Sequence, residues 1–110
     1  MSNSWGGTFY DQALQDAIWA AYGAGVIFVA AAGNSGDDTL HYPAAMDRVI
    51  AVSATDHNDA KASFSTFGAF IDVAAPGVKI WSTILNNGYG YASGTSMASP
   101  HDAAQAALLK

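Results

Sequence analysis

The stretch VIFVAAAGN, from Val26 to Asn34, decides the class of fold that this sequence predicts. Its first seven residues, Val26–Ala32, form an unbroken apolar run bounded by glycines. A strand that is apolar on both faces is typical of a parallel sheet covered by helices, because neither face then meets water. Val49–Ala54 (VIAVSA) is predicted to be a second short strand of the same kind.

Helical patterns lie on either side of these strands. Thr8 and Asp11 resemble a capping box, which predicts that a helix begins there, and Gly23 and Gly25 are predicted to stop it. A last helix is predicted from near Ser96 to the C-terminus. This order of elements predicts an α/β fold with a largely parallel sheet flanked by helices. The apolar stripe of the first helix is Leu14, Ala17, Ile18, Ala21 and Tyr22, and further extended segments are predicted at 70–74, 79–84 and 89–93.

The composition limits both the size of the fold and its partners. The chain has 110 residues, enough for one domain, and only 12% of them are charged, against roughly 25% in typical globular domains. Such a composition is that of the interior of a larger α/β protein. The net charge of −5 argues against nucleic acid and anionic membrane surfaces as partners. With no cysteine and no apolar run of 18 residues, we expect no disulfide and no membrane span.

Two polar residues that follow glycine-containing turns are candidates for chemistry. Ser96 lies at the start of the last helix, where the helix dipole and free backbone N–H groups favour developing negative charge. Asn34 follows Gly33 at a strand end, where its amide could donate a hydrogen bond to an oxyanion. The alternatives are a simple helix cap for Ser96 and a turn residue for Asn34.

Five segments together resemble the subtilisin-like serine proteases, with a pattern nearest to the thermitase-like branch. They cover essentially the whole chain in the family's order. The resemblance implies that residues 1–110 are a single segment of an extracellular catalytic domain, with a partial subtilisin-like fold truncated at both ends. The matching segments are Ser4–Gly7, Ala30–Asn34, Tyr42–Ala44, Asp72–Gly77 and Gly94–His101.

The resemblance assigns a role to each matching residue. Ser96 matches the catalytic nucleophile and Asn34 the side-chain donor of the oxyanion hole, with the Ser96 backbone N–H as second donor. One wall of the pocket for the P1 side chain, on the amino side of the cleaved bond, is matched by Ser4, Trp5 and Gly6. The facing wall is matched by Ala31, Ala32 and Gly33. Small residues on both walls suit a large apolar P1 group, although Trp5 is bulkier than the aliphatic residue common there.

Two further residues carry weaker expectations. His41 precedes Tyr42 and lies either near the floor of the P1 pocket or on an exposed loop. Asp72 matches a weak cation site of some family members, or is a solvated strand residue. The resemblance implies no required cofactor, only a weakly bound calcium or sodium ion. The other ligands would be backbone carbonyls near Ala44, Met46 and Val49.

The resemblance fails for two members of the catalytic triad. In subtilisins the aspartate and the histidine precede the serine, and neither an Asp-Thr-Gly nor a His-Gly-Thr-His motif occurs here. A serine without a base has negligible nucleophilicity at neutral pH, so we expect the isolated chain to be inactive. We expect it to lack the upstream Asp/His portion and the extreme C-terminal portion. The partner of the intact enzyme would be a polypeptide substrate; the alternative is a non-catalytic fragment that self-associates or complements an upstream segment.

Asp102 and Gln105 interrupt the last helix, where the family pattern is apolar or small. They are three residues apart and therefore lie on one helix face. Burying an unpaired carboxylate would be costly. We therefore expect this face to meet water, the alternative being a partner for Asp102 that the sequence does not reveal.

Overall fold

The strands of the protein form one parallel sheet and one hairpin in a computed structural model that describes residues 1–110. The parallel sheet has the order β1-β2-β3-β4, while β5 and β6 pair antiparallel. The α/β class with a largely parallel sheet flanked by helices is thereby confirmed. The elements are β1 Ser2–Asn3, α1 Gln12–Gly23, β2 Phe28–Ala31, β3 Val49–Thr55, β4 Val73–Pro76, β5 Ile80–Ile84, β6 Gly88–Ala92 and α2 Thr95–Leu109.

The sheet is covered on both faces, which explains the apolar run of β2. Neighbouring residues of a strand point to opposite faces, so Val29 and Ala30 belong to two different apolar clusters. On one face Ala30 packs with Ile18 of α1. On the other face Val29 packs with Ala98 of α2. Because both faces are buried, β2 carries no polar side chain.

The first helix begins later than its sequence pattern predicts. Asp11, not Thr8, is the N-cap, since the Asp11 carboxylate accepts hydrogen bonds from the backbone N–H groups of Ala13 and Leu14. The predicted apolar stripe is only partly buried, with Ile18 inside and Tyr22 exposed. A buried glutamine supplements it: Gln15 pairs with the backbone N–H and C=O of Asp47 at 3.0 and 3.1 Å.

The strand predicted at residues 70–74 is wrong in its bounds, because the pairing of β4 begins only at Val73. At the preceding residue the Asp72 side chain accepts the Ala51 backbone N–H at 2.8 Å. The Asp72 N–H donates in turn to the Ala51 carbonyl at 3.1 Å. A carboxylate therefore takes the place of a backbone acceptor where the strand begins.

The second helix is buried mainly along its first turn and a half. Thr95, Ala98 and Ser99 are buried, whereas Asp102 is half-buried and Gln105 is exposed. In this chain the two polar residues face water, as expected, and the Asp102 carboxylate has no hydrogen-bond partner in the protein. Neither helix of the fold combines the length and apolar character needed to cross a membrane.

Candidate active site

The predicted site residues converge at the carboxyl end of the parallel sheet. Ser4 follows β1 and Asn34 follows β2, while Ser96 is the second residue of α2. Because parallel strands end at the same sheet edge, these segments meet there. They enclose a cavity of about 260 Å³. Its lining residues are Ser4, Trp5, Gly6, Ala31, Gly33, Asn34, His41, Thr95 and Ser96.

The side-chain amide of Asn34 is held in one orientation by Thr95. Its Oδ1 atom accepts two hydrogen bonds of 2.9 Å, one from the Thr95 backbone N–H and one from the Thr95 hydroxyl. The Thr95 hydroxyl also accepts the Gly33 N–H at 3.1 Å, and Thr95 is 1% exposed. With Oδ1 engaged, the Nδ2 group of Asn34 has no acceptor in the protein. This amide is therefore set to donate to a ligand.

Two donors flank the space beside Gly94. A Cβ atom at Gly94 would lie 3.6 Å from Asn34 Nδ2 and 3.7 Å from the backbone nitrogen of Ser96. The Met97 sulfur would lie 3.6 Å from the same point. The Asn34 side-chain amide and the Ser96 backbone N–H therefore both lie beside Gly94, and two donors grouped in this way stabilise negative charge developing on a carbonyl oxygen.

Ser96 is anchored to the segment after β1. The Ser4 hydroxyl donates to the Ser96 carbonyl at 2.8 Å, and the Ser96 hydroxyl donates to the Ser4 carbonyl at 3.4 Å. The second of these bonds is long and therefore weak. The nucleophile candidate consequently lies at the cavity with its hydroxyl only loosely held.

No histidine or carboxylate accepts the Ser96 hydroxyl hydrogen. The His101 ring lies on the same helix, but its Nδ1 atom is 2.8 Å from the Met97 carbonyl. The His41 ring contacts Ser35, with Nε2 and Oγ separated by 3.1 Å. His57 is exposed beyond β3. The arrangement contains a serine and oxyanion donors without a general base in contact with the serine.

His41 lies in the cavity wall as part of a polar cluster. Its ring lies against Gly33, where a Cβ atom would be 2.6 Å from the ring. The Ser35 hydroxyl donates to Asp37 at 2.7 Å and lies 2.9 Å from the Thr66 hydroxyl. The Ser35 hydrogen bond, followed by that from the Thr39 N–H, lowers the pKa of Asp37 below its ordinary 3.8.

The cation-site residues also come together. Asp72, Ala44, Met46 and Val49 all line one cavity of about 470 Å³. One Asp72 oxygen is already bound to the Ala51 N–H, and the carbonyls of Ala44 and Met46 accept no hydrogen bond within the protein. The structure has no cluster of three or more acidic, histidine or cysteine side chains. This donor set fits only a weakly held hard cation.

The structure departs from the sequence expectations at several positions of the site. Ala32 is 0% exposed and does not line the cavity, since its side chain is turned into the core at the end of β2. Thr95, which orients Asn34, was not predicted as a site residue, although it stands beside Ser96 in the Gly-Thr-Ser turn. Ser35 and Thr66 were missed as well, because the contact between their hydroxyls joins two separate loops.

Comparison with known proteins identifies the relatives of this chain. The sequence matches the subtilase family (peptidase S8) over residues 1–110. It is 50% identical over 109 residues to thermitase of Thermoactinomyces vulgaris, covering 99% of this chain and 39% of thermitase. It is 51% identical over 110 residues to subtilisin DY of Bacillus licheniformis, covering 96% of this chain and 40% of that protein. The chain thus spans about two fifths of the length of these relatives.

Proposed function

The chain belongs to the subtilase family, and on that premise we propose that it carries the nucleophile, oxyanion hole and P1 pocket of a subtilisin-like serine endopeptidase. Ser96 Oγ attacks the carbonyl carbon of a peptide bond in a polypeptide substrate. Asn34 Nδ2 and the Ser96 backbone N–H stabilise the oxyanion. The observation that carries this proposal is the pair of Thr95 bonds that leave the Asn34 amide free to donate.

The cavity beside Ser96 takes the P1 side chain in this proposal. The cavity of about 260 Å³ is lined by the small residues Gly6, Ala31 and Gly33, although the His41 ring takes the space that a side chain at residue 33 would fill. Trp5 is 52% exposed, with its indole nitrogen donating to Asn3 at 3.3 Å, and adds aromatic surface at the rim. Apolar and aromatic P1 groups should bind here because they cover that surface. Export from the cell belongs to the same proposal.

We further propose that these 110 residues alone do not hydrolyse peptides. When Ser96 attacks, its proton must pass to a base, and none of the three histidines contacts the hydroxyl. The aspartate and histidine of the triad would have to be supplied from outside this sequence. With that base in place, the Ser96 hydroxyl could give up its proton, and the pocket and the oxyanion donors of this chain would bind the substrate.

A fluorophosphonate probe tests the state of the nucleophile, since it labels activated serines. Intact mass after incubation is expected to show no adduct on the folded chain, with Ser96→Ala as a matched control. An adduct that disappears in Ser96→Ala would show that a base has been recruited and that the chain is active by itself. The proposed role of Ser96 requires that an added upstream half restores both labelling and peptide cleavage; failure of a properly folded complex to do so would contradict it.

The Asp72 cavity is proposed to hold calcium or sodium weakly and without a part in the chemistry. One free carboxylate oxygen and two unpaired carbonyls would hold the ion and tie the segment after Tyr42 to the start of β4. Millimolar calcium should raise the melting temperature slightly in the parent chain and not in Asp72→Asn. An equal rise in both would place the ion elsewhere.

A second candidate function is self-association or complementation, favoured by an apolar groove beside Ser96. The groove, of about 500 Å³, lies between the β5–β6 hairpin and α2. Ile80 and Ile84 line it, and the side chains of Trp81 and Ile84 are more than half exposed. Light scattering over a dilution series tests this candidate. A concentration-dependent dimer supports self-association, and a monomer at all concentrations excludes it.

A further inference from the structure

We propose that His41 makes the side-chain preference of the P1 cavity depend on pH, so that protonation of its ring favours an acidic P1 side chain. This inference rests on the proposed function, because it requires that the cavity bind a P1 residue. It goes further because it places an ionisable residue, His41, in the cavity wall. It also adds acidic P1 side chains to the apolar ones that the proposed function assigns to the cavity.

The position of the ring is fixed by Gly33. A Cβ atom at residue 33 would lie 2.6 to 2.9 Å from three atoms of the His41 ring, so the ring occupies the space of the missing side chain. His41 and Ser96 line the same cavity of about 260 Å³. A side chain that enters this cavity beside Ser96 therefore meets the imidazole.

The hydrogen bonds around Ser35 select the tautomer of this ring. The Ser35 hydroxyl has one hydrogen, and the acceptor-only carboxylate of Asp37 takes it at 2.7 Å. At the 3.1 Å contact between Ser35 Oγ and His41 Nε2, the oxygen must then accept, so Nε2 carries the hydrogen. His41 Nδ1 has no hydrogen-bond partner in the protein. It is an acceptor in the neutral ring and becomes a donor when the ring is protonated.

Few titratable groups lie near the ring. Asp37 attracts the imidazolium through space, and the Tyr42 phenol is the neighbouring titratable group along the chain. On the facing segments 4–7, 31–34, 63–66 and 95–96 there is no ionisable side chain. The Lys61 ammonium group is directed elsewhere, since it donates to the carbonyls of Ala62 and Ser65. Asp38 does not line the cavity.

Protonation of His41 therefore introduces the only positive charge into a cavity whose other lining side chains are neutral. A carboxylate at P1 would pair with this charge, whereas an amide of the same shape would gain much less. Histidine is the side chain that serves as a pH switch near neutrality, so the preference should change with pH. For a partly exposed ion pair, we expect a change of about twofold to fivefold in relative affinity.

The test compares three neutral-ended peptides on the full 110-residue chain, acetyl-Ala-Ala-Ala-X-amide with X as Glu, Gln or Phe. Binding is followed by NMR titration at about pH 5.5 and about pH 8. The ratio of Glu to Gln affinity should rise about twofold to fivefold at the lower pH. The rise should disappear in His41→Gln, which keeps a donor for Ser35 at the position of Nε2, and should persist in the matched control His57→Gln.

A second readout on the unmodified chain avoids dependence on a variant that fails to fold. At a fixed pH of about 6.5, the Glu peptide should move the His41 ring resonances towards their protonated positions, and the Gln peptide should not, because linkage is reciprocal. If the Phe peptide binds but the ratio of Glu to Gln affinity does not change with pH, the role of His41 is overturned and the proposed P1 cavity is not. A rise that persists in folded His41→Gln also overturns that role. Failure of all three peptides to bind overturns the proposed P1 cavity and this inference with it.

Discussion

The hydroxyl of Ser4 donates a hydrogen bond of 2.8 Å to the backbone carbonyl of Ser96, across 92 positions of the chain. The reason lies one helical turn further on, at Pro100. In a helix the carbonyl of residue 96 accepts from the N–H of residue 100, and proline has none. Ser4 supplies the missing donor, and in doing so it joins the segment after β1 to the start of α2.

Ser4→Ala should therefore lower the free energy of unfolding by about 0.5–1.5 kcal/mol, measured by urea denaturation. The loss should shrink in a Pro100→Ala background, because that substitution restores a helical N–H donor to the Ser96 carbonyl. Ser2→Ala is the control, since the Ser2 hydroxyl makes no hydrogen bond and should cost little. An equal loss from Ser4→Ala in both backgrounds would contradict this account.

Thr95→Val should destabilise the fold by about 1–3 kcal/mol, although the two side chains have nearly the same shape. The change removes the donor to Asn34 Oδ1 and the acceptor of the Gly33 N–H. Thr95→Ser keeps the hydroxyl and should cost less. The NMR signals of the Asn34 side-chain amide should show greater mobility in Thr95→Val only. Unchanged amide signals in that variant would refute the orienting role of Thr95.

Gly33→Ala should be among the most damaging single changes at the site. Residue 33 has φ of +107°, a conformation that favours glycine, and the new Cβ would lie 2.6 Å from the His41 ring. We expect a loss of about 2–4 kcal/mol by thermal or chemical denaturation. Gly23→Ala is the control, because a Cβ there meets nothing within 4 Å and improves helix propensity. Similar losses in the two variants would show that the His41 contact is irrelevant.

Asp37→Asn should weaken the fold at neutral pH by an amount that vanishes in acid. The Ser35 and Thr39 hydrogen bonds lower the pKa of the folded carboxylate below its ordinary 3.8. Asp37 therefore contributes stability above that value, and the contribution is lost as the pH falls through the folded pKa. Melting curves of the two proteins should converge below about pH 3.8. A difference that stays constant well below that pH would argue against the charged hydrogen bonds.

Ser99→Ala should leave the protein as stable as before or up to about 1 kcal/mol more stable. The Ser99 hydroxyl is 0% exposed and has no hydrogen-bond partner, a costly state for a polar group. Alanine removes this cost and favours the helix. A loss of more than about 1 kcal/mol in urea denaturation would mean that the hydroxyl has a partner in solution.

Much of the fold could be predicted from local patterns. The apolar run at β2 indicated a covered parallel strand, and Val29 and Ala30 do pack on opposite faces. The bounds of α1 and β4 were less predictable, because in each a side chain accepts a hydrogen bond in place of a backbone carbonyl. Asp11 rather than Thr8 caps α1, and Asp72 takes the bond that would have extended β4. In both cases a carboxylate competes with backbone groups, and a pattern of apolar residues does not record that competition.

The sequence by itself determined the α/β class, because apolar runs and glycine turns act over a few residues. Its resemblance to subtilisin-like serine proteases in five segments indicated the family and supported Ser96 and Asn34 as candidate site residues. Only the tertiary structure decided that Thr95 orients the Asn34 amide, that Ser4 replaces the missing donor of Pro100, and that His41 rests on Gly33. The first two contacts join segments 61 and 92 positions apart in the chain, whereas the third lies within the loop that follows β2. The two long-range contacts form because parallel strands bring their carboxyl ends to one edge of the sheet.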